Sequence, residues 1–304
     1  MGNDLVIEAK GLRKSYGAVA AVDGLDLDMA RGEVLSLLGP NGAGKTTTVE
    51  ILEGYRRRDT GEVRVLGEDP QRAGTGWRAR RGIVLQNNAD VADLSVSECV
   101  LHFSRFYPAP ADVDEVISRV GLSEKASSRI RALSGGQRRR VDVALGIIGQ
   151  PELVFLDEPT TGFDPEARRQ FWEVVRGLAK AGTSVLLTTH YLEEAEALAD
   201  RVAVINHGRV VASGPPAELG GRQTGLATVS WLAPGGWQHQ STSEPTALVA
   251  RLAAQFGGEV PQLTVRRPTL EDTYLELIGA SSGPASSGPA SSGPVTNGKR
   301  GRRS

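Results

Sequence analysis

Three short stretches of this sequence carry residue types that can handle a polyphosphate. Gly39-Pro40-Asn41-Gly42-Ala43-Gly44-Lys45-Thr46 matches the G-x-x-x-x-G-K-[ST] phosphate loop, whose glycines let successive backbone N–H groups turn inward on one anion. In that pattern the Lys45 ammonium reaches the β and γ oxygens of a nucleoside triphosphate and the Thr46 hydroxyl is placed to ligate Mg2+. The helix that continues through Thr47 points its positive end at the phosphates. Downstream, Asp157 and Glu158 follow the apolar run 153–156, which puts two acids at the end of a buried strand, expected beside the strand that feeds the phosphate loop. Unpaired carboxylates are expensive there. A Mg2+ shell satisfies Asp157, and a water aimed at the γ-phosphate satisfies Glu158. Alone, such an acid reads equally well as a helix N-cap, and it is the phosphate loop upstream that favours the metal reading. The third stretch, Leu133-Ser134-Gly135-Gly136-Gln137, opens a helix, so free N–H groups, a hydroxyl and a helix dipole converge on a second anion site. Its plain alternative is a serine N-cap with a Gly-Gly turn. One nucleotide cannot use both anion sites of a single domain unless they lie adjacent, and a long helical stretch separates them.

These residues need a parallel sheet to hold them. Residues 33–38 read as a short apolar strand, 39–45 as the loop and 46–52 as a helix, the order a phosphate cradle requires. Ahead of it, residues 5–28 alternate apolar and polar positions around Gly11, Gly17 and Gly24, which predicts two antiparallel strands. Further strands are expected at 62–66 and 82–85, then mostly helical patterning over 95–149. Buried strands return at 153–156 and 184–188, separated by a helix over 165–180 with Pro165 in its first turn. A helix over 192–199 and a hairpin about Gly208 (201–206 and 209–212) close a main domain near residue 220. Strand 226–232, helix 246–256, strand 262–266 and helix 269–278 predict a small α/β appendage over 221–279. The repeats of Ala-Ser-Ser-Gly-Pro and the basic end of 280–304 cannot bury apolar surface against their ordering entropy, so a disordered, solvated tail is expected.

Bulk properties narrow the function classes. A formal charge of -1 over 304 residues gives no global positive field for non-specific nucleic-acid binding. No run approaches the roughly 18 apolar residues that span a bilayer, and residues 1–10 hold two acids and no apolar leader core. The single cysteine, Cys99, cannot form an intrachain bridge and reads as a buried thiol. Arg138, Arg139 and Arg140 read chiefly as a solvated face of the helix that Ser134 opens.

Phosphate loop, then Leu-Ser-Gly-Gly-Gln, then an apolar strand ending Asp-Glu resembles, over residues 5–220, the ATP-binding subunits of ABC transporters. The resemblance implies an α/β fold: a P-loop NTPase (RecA-like) core sheet, an N-terminal antiparallel β-subdomain and a helical insert at about 87–150. The domain is then 1–220, with the small α/β appendage after it. It implies ATP and Mg2+ as cofactors and ATP hydrolysis coupled to transport, with Glu158, His190, Gln86 and Lys45 in catalysis. Residues 39–47, Ser134 to Gln137, Tyr16 and Asp164 bind nucleotide, while Thr46, Gln86 and Asp157 hold the metal. Tyr16 matches the aromatic that stacks on adenine, Gln86 the glutamine that contacts Mg2+ and the membrane partner, His190 the switch histidine at the γ-phosphate. Asp164 matches the aspartate that crosses between monomers, although Phe163 stands where leucine is more usual.

Closer resemblance is to the subgroup serving multidrug, antibiotic and polysaccharide exporters, through Thr-Thr-His-Tyr-Leu-Glu-Glu-Ala-Glu and the C-terminal Val-Arg-Arg-Pro-Thr-Leu-Glu-Asp. It implies ABC-2 type permease subunits docking near 86–106, a homodimer or pseudo-symmetric dimer closing on ATP, a place at the cytoplasmic face of the membrane, and no nucleic-acid partner. A soluble ABC-type switch on nucleic acid or the ribosome is the alternative. Such relatives generally carry two of these domains or a long coiled coil, against one phosphate loop and no sustained heptads here.

Overall fold

The computed structural model describes residues 4–84, 91–219 and 226–280. Its centre is a six-stranded sheet in the order β5-β6-β7-β3-β8-β9: β3 is Val34–Leu38, β5 Arg81–Val84, β6 Leu153–Asp157, β7 Ser184–Thr189, β8 Arg201–Asn206 and β9 Arg209–Gly214. Strands β5, β6, β7, β3 and β8 run parallel, and β9 returns antiparallel from β8. The apolar runs of β3 and β7 are buried along their whole length, because parallel strands carry cover on both faces. The split follows the pleat. Val154 and Leu156 face one core with Val185 and Leu187, whereas Leu153 and Phe155 face another with Leu186, Leu35 and Leu37.

The second core is closed by an antiparallel sheet, β1 (Leu5–Tyr16), β2 (Val19–Ala30) and β4 (Thr60–Val65), in the order β2-β1-β4. Ile7, Leu12, Leu25 and Met29 are fully buried against it, and helix α1 (Lys45–Leu52) adds Ile51 and Leu52. Each such side chain contributes about 1.5–3 kcal/mol of apolar burial. The first core is closed by α5 (Gly135–Ile147) and α6 (Pro165–Lys180), through Val143, Ile147, Phe171 and Val175. Along the chain between β4 and α5 come α2 (Thr75–Ala79), whose Trp77 joins the second core, and α3 (Val96–Ser104) and α4 (Val113–Arg119), which join the first, with two short 3-10 turns at Ser123–Lys125 and Ile130–Ala132. Cys99 is buried on α3, and burial pushes its thiol up to about 11.

Helix α5 meets β5 backbone to backbone. A Cβ on Gly82 would lie 2.1 Å from the Gly146 carbonyl oxygen, and one on Gly146 would lie 2.9 Å from a Val84 methyl. No larger residue fits at Gly82 without moving the helix off the strand, and one at Gly146 must displace the Val84 side chain.

Past the main sheet, β10 (Ala227–Ala233), β11 (Gly236–Thr242) and β12 (Thr264–Arg266) form a small antiparallel sheet, order β11-β10-β12. Helix α8 (Pro245–Phe256) packs Leu248 and Leu252 onto Val229. Two features differ from the sequence reading. Strand β11 is an additional element whose side chains are almost all exposed. The last helix, α9 (Leu270–Ala280), grouped by pattern with the appendage, packs instead on the main domain beyond α7 (Leu192–Leu198): Leu270, Tyr274 and Leu277 meet Leu38, Val202, Val204 and Leu219. The expected tail from 281 onward lies outside the described residues.

Candidate functional site

Strand β3 delivers the chain into the phosphate loop, and α1 begins at its end. Gly44 sits at φ 102°, in the left-handed region, and a Cβ there would lie 2.2 Å from the Ala21 carbonyl oxygen, so only glycine fits. No side chain caps α1, which leaves its first-turn N–H groups facing the loop's concavity. The loop is anchored from outside by Gly208 N–H donating to Ala43 O at 2.9 Å. Lys45 is buried, its Nζ donating to the carbonyl oxygens of Gly39 (2.7 Å) and Pro40 (3.2 Å). Burial lowers its pKa, opposed by the carboxylates of Glu158 and Asp157, which places both acids in its electrostatic reach. Thr46 is exposed beside it.

Strand β6 supplies the two acids, but one strand, β7, lies between β6 and β3, so the acids are not on the strand adjacent to the loop as expected. That intervening strand is what fixes them. Thr188 on β7 donates its hydroxyl to Asp157 Oδ1 and accepts the Glu158 N–H at 3.1 Å, and the Thr188 carbonyl accepts the same N–H at 3.1 Å. Glu158 holds φ 42°, a conformation costing about 1–3 kcal/mol for a residue with a side chain. The next residue along β7's exit, His190, brings Nδ1 to 3.3 Å from Glu158 Oε1, and its ring lies 4.1 Å from that of Tyr191. The Thr161 hydroxyl donates to Glu158 Oε2 at 3.4 Å. Glu158 thus lies within electrostatic reach of Lys45 and against His190, with a carboxylate able to orient a water.

The second anion stretch forms a capping box: Ser134 Oγ accepts the Gln137 N–H (3.2 Å) and Gln137 Oε1 accepts the Ser134 N–H (3.0 Å). The two glycines divide the work. A Cβ on Gly136 would lie 2.9 Å from Ala167 Cβ, so this glycine permits α5 to lie on α6, whereas nothing stands within 4 Å of one on Gly135. Asp164 caps α6, accepting the N–H groups of Glu166 (3.0 Å) and Ala167 (2.8 Å). At the far rim, Tyr16 is 43% exposed, with Arg56 at 5.3 Å and Lys14 at 5.7 Å from its ring centroid. Gln86 lies outside the described residues.

The arginine run departs from the solvated face expected of it. Arg138 is exposed, but Arg139 is 7% exposed and runs from α5 under the acids, Nη2 donating to the Asp157 carbonyl (2.9 Å) and Nε to that of Pro159 (3.3 Å). Arg140 donates to the Gly121 carbonyl at 3.1 Å. A charge run on a helix opening gave no hint that its middle member supports the carboxylate strand.

The family model described as ABC transporter matches residues 22–161, from β2 through the acids to Thr161. The daunorubicin resistance ATP-binding protein DrrA3 of Streptomyces coeruleorubidus is 40% identical, the alignment covering 91% of this chain and 96% of that one. This chain belongs to the ABC transporter family. It is the ATP-binding subunit, and its activity is ATP hydrolysis coupled to transport. The Nod factor export ATP-binding protein I of Ralstonia nicotianae is also similar to this ABC ATPase, 38% identical over 92% of the chain and 95% of its own length. Among solved structures, cbiO1 of Clostridium perfringens, part of an ABC transporter complex, superposes with a TM-score of 0.66 at 27% identity, covering 71% of this ABC ATPase and 90% of that chain.

Proposed function

We propose that this ABC ATPase drives an exporter of drug-like or other amphipathic compounds, hydrolysing ATP between two copies and passing the closure to permease subunits at the cytoplasmic face of a membrane. The observation that carries the hydrolytic part is Glu158, pinned at φ 42° by Thr188 with His190 at 3.3 Å. Export is supported by the relatives, one named for daunorubicin resistance and one for Nod factor export. Among the described residues no helix is long and apolar enough to cross a membrane, so a permease must be a separate chain or lie elsewhere.

In this reading Lys45 leaves the carbonyls of Gly39 and Pro40 for the β and γ phosphate oxygens, and the N–H groups of residues 39–47 cradle the rest. Tyr16 takes adenine on its open face. Glu158 accepts a hydrogen bond from the attacking water and turns its lone pair toward the γ-phosphate, while His190 donates to the γ-phosphate and restrains Glu158. Mg2+, when bound, neutralises charge on the β and γ oxygens. Thr46 and Asp157 suit it: the hydroxyl is exposed, and Asp157 Oδ2 lies outside the bond to Thr188. Gln86 would complete that shell. From a second copy the Ser134 hydroxyl and the N–H groups of Gly135 and Gly136, with the Gln137 side chain holding the turn, bind the same γ-phosphate, with Asp164 at the seam. Loss of that phosphate removes the interaction that distinguishes closed from open. Phe106, 70% exposed, stacks edge-on with Phe103 and His102 and supports the docking of a permease helix beside α3.

The Glu158→Gln variant tests the site. It should bind ATP as the wild type does, lower turnover by about 10²–10⁴-fold, and accumulate as an ATP-bound dimer in light scattering. Unchanged turnover would remove Glu158 from its role, and a lone protomer at saturating ATP and high protein concentration would remove the sandwich.

A further inference from the structure

Four residues after His190, Glu194 on α7 is fully buried, at 0% exposure, in a place the nucleotide chemistry does not use. Among the described residues neither of its carboxylate oxygens has a well-formed hydrogen bond. The donors around it share that condition: the Thr160 hydroxyl, the Trp172 indole N–H and the Arg168 Nε–H are each buried without a well-formed bond, while Thr160, Trp172 and Thr189 lie within interaction reach of the carboxyl. Buried polar groups are bonded in the great majority of cases, so four orphans converging on one point require an explanation. Their elements supply it. Thr160 lies two residues past Glu158, Arg168 and Trp172 lie on the helix that Asp164 caps, and Thr189, also facing the carboxyl, immediately precedes His190. Arg139 from α5 approaches from below, within electrostatic reach of the carboxyl. Burial pushes the Glu194 carboxyl up, against the pull of Thr189, Thr160 and Trp172 and the charge of Arg168.

We propose that Glu194 is a positioning residue for ATP hydrolysis, the internal tie that sets the Pro159 to Asp164 loop against the end of β7 and so fixes Glu158 and His190 relative to each other. The carboxyl gathers donors from both segments, Thr160 and Trp172 from the loop and α6 and Thr189 from the end of β7. Without it Thr160 and α6 lose the partner they share with Thr189, and these are the two segments that carry the hydrolytic pair. Arg168 reinforces the tie from outside, its guanidinium lying 4.7 Å from the centroid of the Tyr191 ring, which itself packs on His190.

The inference rests on the roles of Glu158 and His190 proposed above, and the experiment separates the two. The full chain is prepared as Glu194→Ala, Glu194→Gln, Thr160→Val and Glu158→Gln, and kcat is measured beside the affinity for a fluorescent ATP analogue. Misplacing a catalytic group by about an ångström costs on the order of 10²-fold, so Glu194→Ala should lower kcat by about 10- to 100-fold with affinity held within about twofold. Glu194→Gln, which keeps shape and hydrogen-bonding capacity, should restore most of the rate. A wild-type kcat in Glu194→Ala overturns the proposal, and so does a fall in affinity that matches the fall in kcat. If Glu194→Ala does not fold, Thr160→Val, which removes one donor and no charge, decides: a kcat lowered by about fivefold or more at constant affinity supports the tie, and an unchanged kcat overturns it. Turnover surviving in Glu158→Gln refutes instead the assignment of Glu158.

Discussion

Replacing Thr188 by valine removes one hydroxyl at nearly constant volume from a side chain that is 1% exposed. That hydroxyl donates to Asp157 and accepts from the Glu158 N–H, so the variant strips a donor from one acid and an acceptor from the other. The Glu158 N–H keeps the Thr188 carbonyl at 3.1 Å and is not orphaned. The loss is therefore dominated by the bond to the Asp157 carboxylate, worth about 1.5–3 kcal/mol for a charged partner. At roughly 2–4 °C per kcal/mol for a chain of this size, the melting temperature should drop by about 5 °C. Catalysis should suffer more than stability. Glu158 is held at φ 42° against about 1–3 kcal/mol of backbone strain, and half of the restraint on its N–H is gone, so relaxation toward ordinary φ swings the carboxylate off its line. A loss of about 1.4–2.8 kcal/mol in the transition state is a 10- to 100-fold fall in kcat. The assay is steady-state ATP hydrolysis with differential scanning calorimetry on the same preparation. A Thr188→Val protein with wild-type kcat and melting temperature would refute the view that β7 sets the acids.

Three further outcomes follow from packing and charge. Glu53, 7% exposed at the end of α1, has its carboxyl pushed up to about 7 by burial and by Asp157, against Arg81. The folded chain then binds a proton that the unfolded chain has released, so stability falls as pH rises from the ordinary glutamate range to about 7, by about 3 kcal/mol. Glu53→Gln should flatten that slope and gain stability above neutrality in urea titrations; an unchanged slope counts against the buried acid. Gly136→Val should force α5 off Ala167, costing about 1–3 kcal/mol and slowing ATP-dependent dimerisation, read by melting and light scattering. Leu270→Ala, at a residue 1% exposed against the main domain, should cost about 2–4 kcal/mol and lower the melting transition of the ATPase core rather than that of the appendage alone.

Much of this arrangement was legible before the fold. The phosphate loop declares itself because its backbone conformations admit few residues, Gly44 above all, and β3, β6 and β7 declare themselves because burial on both faces leaves only apolar types. What stayed hidden depends on neighbours distant in sequence. The order of strands placed β7 between the acids and the loop, which apolar content alone does not specify. Arg139 reads like Arg138 in composition, and only the crossing of α5 beneath β6 separates a buried support from a solvated charge. Strand β11, Gly-Trp-Gln-His-Gln-Ser-Thr, has side chains that are almost all exposed and so shows no alternation. The pattern predicts a helix over 269–278 and groups it with the appendage, because nothing local says that Leu270, Tyr274 and Leu277 cover the main domain. Gln86 lies outside the described residues, and only its place in the motif assigns it a part in the site.

The contact of Gly82 with Gly146 has a mechanical consequence. Most helices ride on sheets through a cushion of side chains, whose rotamers soak up small tilts. Here main chain rests on main chain, and such compliance is missing. A rocking of the insert is therefore levered directly into the strand that exits at Val84, so that a push delivered far out on α3 reaches the edge of the central sheet undamped.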